Sequence, residues 1–212
     1  MKRRDLARWA GAAALVLAQG LPLAWAADEA PDALINRLST EVLNAIKADK
    51  SIQAGDIGRI MALVDSKIMP NVNFQRMTAS AVGPAWRQAT DEQKRQLQAQ
   101  FKTLLVRTYS GALAQVNEQE VVVRPLRAGP DDKDVVVRSE VRGRGDPAQL
   151  EYRMEKTPGQ GAGWKIYNLN VMGIWLVETY RSQFAQEINA KGLDGLIASL
   201  TQRNQSNEKK SG

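Results

Sequence analysis

Histidine and cysteine are both absent from this chain of 212 residues, which removes the side chains on which most protein chemistry near neutral pH depends. Without imidazole there is no ordinary general base, no common metal ligand and no triad of the Ser-His-Asp kind. Without thiols there are no disulfides and no thiolate metal sites. Carboxylates, hydroxyls and guanidinium groups remain. Asp131, Asp132 and Asp134 gather oxygen ligands, but the spaced later ligands of a calcium loop do not follow, so they read as a solvated turn. Glu151 and Glu155 share one face of a strand and have no partner for acid–base work. Gly143-Arg144-Gly145 lacks the further glycine and the helix of a dinucleotide loop, and the chain has neither a Gly-x-Ser-x-Gly elbow nor a phosphate-binding loop. Tyr167, Tyr180, Arg181, Trp86 and Arg87 are polar-tipped, and each taken singly reads as a core-edge residue with one hydrogen bond. No enzyme, no metal and no catalytic cofactor is expected, which leaves apolar surface as the working material.

Residues 1–26 read as a secretory leader rather than as fold. Lys2, Arg3, Arg4 and Arg8 make a basic start, Ala10 to Ala18 an apolar stretch, and Ala24-Trp25-Ala26 a small-x-small cleavage signal. The apolar run is short beside the roughly 20 residues of a membrane span, and Gln19, Gly20 and Pro22 interrupt it. Its removal takes four basic residues and Asp5, leaving 25 Lys+Arg against 22 Asp+Glu, a formal net charge of +3. A charge so modest on an exported protein argues against a nucleic-acid partner.

The rest of the chain, 27–203, reads as one α+β domain followed by a polar, disordered tail over 204–212. Leu34, Leu38, Val42, Leu43 and Ile46 recur at helical spacing, and a second helix starting at Asp56 stops at Pro70, within a helical part covering roughly 33–90. Thr90 and Gln93 form a capping box that opens a long helix over 91–116. The period then changes to two, and four strands joined by turns of hairpin length fill 120–172. Helices over 174–203, separated at Gly192, complete the chain.

The stretch Gly163–Gln183 organises these elements. Its strand is apolar on both faces, which calls for cover on both sides or for one face turned to a cavity. After Gly173 the spacing of Ile174, Val177, Tyr180 and Phe184 predicts a helix folding back over the sheet. A strongly curved antiparallel sheet of about four strands, wrapped by helices, would then enclose an apolar, ligand-holding cavity. Its expected lining is Met77 and Trp86 at one end and Phe101, Leu105 and Tyr109 on the long helix. The strands would add Val123, Val137, Val141, Tyr152 and Met154, and the central element Ile166, Leu169, Val171 and Ile174. The rival reading is an adaptor with a filled core whose helices bind partner proteins.

The order of motifs resembles the MlaC family, also called the toluene-tolerance auxiliary component. The matching pieces are Phe74, Gly83-Pro84-Ala85-Trp86-Arg87-Gln88-Ala89-Thr90 with Gln93, Phe101 with Leu104-Leu105, and Thr108-Tyr109. They continue with Trp164-Lys165-Ile166-Tyr167-Asn168-Leu169, Gly173-Ile174, Tyr180-Arg181-Ser182-Gln183-Phe184 and Gly192-Leu193-Asp194-Gly195-Leu196-Ile197. Trp175 and Asn168 depart from the pattern, which has a small polar residue and an aspartate there. The resemblance implies a fold of the nuclear-transport-factor-two type with added helices. It implies a periplasmic monomer that carries phospholipid as cargo, with no other cofactor. It also implies exchange with an inner-membrane ABC transporter complex bearing an MCE-type subunit and with an outer-membrane lipoprotein–porin complex, maintaining outer-membrane lipid asymmetry.

Overall fold

Helix α1 (Pro31–Ala48) begins on a proline, where the missing N–H costs nothing, and carries Asp32 in its first turn and Lys47 in its last, both matching the helix dipole. The computed structural model describes residues 29–211 apart from 128, 130 and 144, so the leader expected over 1–26 lies outside the described residues. Asp49 caps the short α2 (Lys50–Gln53) and Asp56 caps α3 (Ile57–Leu63). α3 passes into a π-helical turn (Val64–Ile68) and a 3-10 turn (Met69–Asn71) that contains Pro70. α4 (Phe74–Val82) leads through a 3-10 turn (Gly83–Gln88) to α5 (Asp91–Ala114), where the predicted Thr90–Gln93 capping box is present.

The sheet is an antiparallel meander of five strands in the order β1-β2-β3-β4-β5. Its members are β1 (Glu120–Val123), β2 (Asp134–Arg142), β3 (Ala148–Lys156), β4 (Trp164–Val171) and a two-residue β5 (Ile174–Trp175). The fifth strand corrects one expectation. Met172 and Gly173 take φ +51° and +87°, the paired left-handed conformations of a tight hairpin turn, and Ile174 pairs back onto Val171. Ile174 and Trp175 are therefore strand, and the helix expected from Ile174 starts at Leu176.

That helix, α6 (Leu176–Ser211), is broken at Gly192, where φ is +71°. It also corrects the disordered tail expected from Asn204. Asn204 is 5% exposed and its Nδ2 donates to the carbonyl and to Oε1 of Gln100 on α5, which ties the end of α6 down. Gln205 and Ser206 beside it are exposed to solvent.

The core divides in three. One cluster joins α4, α5 and α6 around Phe101, whose ring meets Tyr180 and Phe184 edge-on at centroid distances of 5.0 and 5.3 Å. A second packs Leu34, Ile35 and Leu38 of α1 onto Val137, Met154, Trp164 and Ile166 of the sheet. A third gathers Ile46, Ile52, Ile60, Leu63 and Val106 where α1, α2, α3 and α5 meet.

Candidate functional site

Side chains of directly paired strand residues share a face, so the register decides what looks inward. Val121 pairs with Val141, Val123 with Ser139, Val137 with Tyr152, Ser139 with Leu150, and Val135 with Met154. β4 then pairs Ile166 with Met154, Leu169 with Tyr152, and Val171 with Leu150. The odd spacing of Ile166 and Leu169 would put them on opposite faces of a regular strand. A bulge opposite Arg153/Met154 takes up the extra residue, so Ile166, Leu169 and Val171 all face inward. Tyr167 and Asn168 both turn outward with Arg153 and Glu155.

One face of the sheet thus brings together Val123, Val137, Val141, Tyr152, Met154, Ile166, Leu169 and Val171, all expected from sequence. It adds Val121, Val135, Leu150 and Ser139, which were not among the expected lining residues. Leu150 could have been found, since it continues the alternation of Tyr152 and Met154. Ser139 is the polar gap in the alternation of Val135, Val137 and Val141.

Burial splits this face in two. Val137 and Met154 are fully buried under α1, with Trp164 and Ile166 nearly so. Towards the β2–β3 turn, Val121, Val141, Leu150, Leu169 and Val171 are only half-buried. Leu169 and Val171, like the half-buried Leu105 and Tyr109 of α5, lie against the edge of the Phe101 cluster.

Tyr152 stands at the boundary. Burial pushes its phenol well above the usual value, against the opposing effect of hydrogen bonds with Ser139 and Ser39. Ser139 Oγ lies 3.4 Å from the Tyr152 hydroxyl. Tyr152 itself is half-buried. Burial raises the Tyr109 phenol as well.

The other expected residues lie elsewhere. Met77 and Phe101 are buried within the helical cluster, and Trp86 packs half-buried on its edge. Ile174, expected to face inward as the first residue of a helix, pairs with Val171 and shares its face, but at the hairpin tip it is uncovered and 57% exposed. A groove of about 640 Å³ between the end of α1 and α3 contains none of these residues, and its rim includes the Asp49–Arg59 ion pair. A shallow recess of about 140 Å³ is lined mainly by Arg124, Arg138, Glu140, Gln149 and Glu151, the last four on the sheet's outer face.

The two departures from the family pattern form one outward-facing cluster. Asn168 is 2% exposed; its Oδ1 accepts from the backbone N–H of Leu169 (2.9 Å) and of Val177 (3.2 Å), which caps the start of α6. Its Nδ2 donates to Glu178 Oε2 at 2.8 Å. An aspartate could accept as Asn168 does, but it would set a second carboxylate against Glu178. Burial acts to raise the Glu178 carboxyl, but the hydrogen bonds from Asn168 and Arg153 outweigh it and hold the group below the usual carboxylate range. The Arg153 guanidinium lies 4.0 Å over the Trp175 ring.

Residues 36–202 match the model of the MlaC protein family. The chain belongs to the MlaC family. Toluene tolerance protein Ttg2D of Pseudomonas putida is 30% identical over 182 residues, 85% of this chain and 83% of its own length. The intermembrane phospholipid transport system binding protein MlaC of Haemophilus influenzae is 21% identical over 177 residues, 83% of each chain. The solved structure of a phospholipid-binding protein from Ralstonia solanacearum, in complex with a phospholipid, superposes with a TM-score of 0.79 at 46% identity. It covers 84% of this chain and 98% of its own. The meander with its helical N-terminal part is thus the fold of a protein known to hold a phospholipid.

Proposed function

We propose that this protein is a phospholipid carrier that holds the acyl chains between the half-buried end of the sheet's inner face and α5. The observation that carries the reading is the row of inward-facing apolar side chains Leu150, Leu169 and Val171, which with Tyr152 stay only half-buried in the folded chain. Support comes from the phospholipid-bound relative of the same fold and from the transport protein of Haemophilus influenzae. Each methylene withdrawn from water contributes about 0.8 kcal/mol, so two acyl chains bind strongly with no polar group to hold them. The seam between α5 and the sheet widens to admit them, and the headgroup stays at the mouth in water.

In the same reading the leader sends the chain to the periplasm. There it works as a monomer without catalysis of its own, and moves lipid between an inner-membrane ABC transporter complex with an MCE-type subunit and an outer-membrane lipoprotein–porin complex. That traffic maintains the lipid asymmetry of the outer membrane. No helix among the described residues is long and apolar enough to cross a membrane. Organic extraction of the purified protein followed by mass spectrometry tests the carrier reading. Phospholipid in near-stoichiometric amount is expected. Its absence, together with no uptake from labelled vesicles, would leave the solid-core adaptor instead.

A further inference from the structure

Met172 and Ile174 are the exposed large apolar residues among those described, 67% and 57% open to solvent. They flank Gly173 in the turn between β4 and β5. The left-handed first position of such a turn ordinarily takes asparagine or aspartate ahead of the glycine. Methionine at φ +51° is held there at a conformational cost, and its largely exposed side chain offsets little of it by packing. Apolar side chains that cost stability and stand together in water are accounted for by an outside surface that covers them.

We propose that this hairpin tip is a wedge that seats the protein on a phospholipid bilayer while lipid enters or leaves. The inference rests on the carrier reading and extends it to the surface that the carrier meets. Three observations select a bilayer. The run Asn170–Trp175 contains no charged residue, as a segment entering the apolar boundary of a membrane requires. Trp175 follows the tip directly, with the Arg153 guanidinium over its ring, an aromatic and a cation suited to headgroup depth. The tip is also continuous with the open end of the inner face. Val171 pairs with Leu150, and the Met172 N–H donates to the Gln149 carbonyl at 2.9 Å. A wedge of two side chains holds weakly, and a shuttle has to let go.

The test uses the full mature protein, vesicles of phosphatidylethanolamine and phosphatidylglycerol at a ratio of about three to one, and two variants, Met172→Asn and Met172→Asn/Ile174→Ser. Co-flotation with vesicles and transfer of labelled phospholipid between vesicles are the readouts. Met172→Asn is expected to melt at an equal or higher temperature and to carry as much lipid as the wild type, because asparagine suits the turn. The double variant is expected to lose about tenfold in both readouts, the effect of withdrawing two apolar side chains from the bilayer. Wild-type co-flotation and transfer by the double variant would overturn the wedge. A defect seen only when membrane proteins are present in the vesicles would overturn it too, and would assign the tip to a protein partner. Failure of the carrier reading is distinguishable: the wild type would hold no lipid, whatever co-flotation shows.

Discussion

The two ends of the sheet's inner face carry the same kinds of side chain and sit in different surroundings. At one end Val137, Met154, Ile166 and Trp164 are closed over by Leu34, Ile35 and Leu38 of α1. At the other, Val121, Val141, Leu150, Leu169 and Val171 are as apolar and remain half-buried, with Leu169 and Val171 against the edge of the Phe101 cluster. Ser39, one helical turn beyond Ile35 on α1, meets Tyr152 with a hydroxyl. Where Leu34, Ile35 and Leu38 of α1 cover the face it is core, and the half-buried remainder is the part proposed to meet acyl chains.

That contrast is broken most severely at the packed end. Val137→Arg places an unpaired charge in a fully buried site, at a cost of several kcal/mol that consumes much of a typical domain's stability. Circular dichroism and thermal melting should show an unfolded or barely folded protein. At the open end, Leu169→Arg should cost about 1 kcal/mol and leave the fold intact, while lipid recovered by extraction falls at least tenfold. Equal behaviour of the two variants would erase the distinction between the ends.

A smaller effect is expected on the outer face, away from the lipid. The Glu178 carboxyl is held below its usual range in the folded protein, so its contribution is present above the unfolded carboxylate value and is lost as pH falls through the lower folded value. Glu178→Gln should therefore cost less than about 1 kcal/mol at pH 7, given its partial exposure. It should also flatten the fall of melting temperature between about pH 5 and pH 3. Lipid content should not change. Loss of lipid in this variant would mean that α6, through its cap on Asn168, shapes the open end after all.

Much of the fold is legible in the sequence, because it rests on strong periodicity. The Thr90–Gln93 box, the long apolar stripe of α5 and the alternation of β2 and β3 all become the elements they predict. Inward positions on β2 and β3 follow from that alternation. β4 is harder, since it is apolar on both faces, and only the bulge beside Tyr167 puts Ile166 and Leu169 on one side. Ile174 misleads because Gly173 suits a helix-leading bend as well as a hairpin turn, and the left-handed Met172 that decides between them is not a residue that advertises such a conformation. Phe101 and Met77 are legible as apolar but not as core, because their spacing does not say whether the sheet or another helix lies opposite. The tail misleads because composition does not reveal that Asn204 finds Gln100 across the bundle.

Photocrosslinking with a phospholipid that carries a diazirine on its acyl chains, followed by peptide mass spectrometry, tests the division of the inner face most directly. The expected result is labelling of Leu105, Tyr109, Leu150, Tyr152, Leu169 and Val171, with Val137, Met154, Ile166 and Trp164 unlabelled. Labelling concentrated on the second group, or on the groove between α1 and α3, would contradict it.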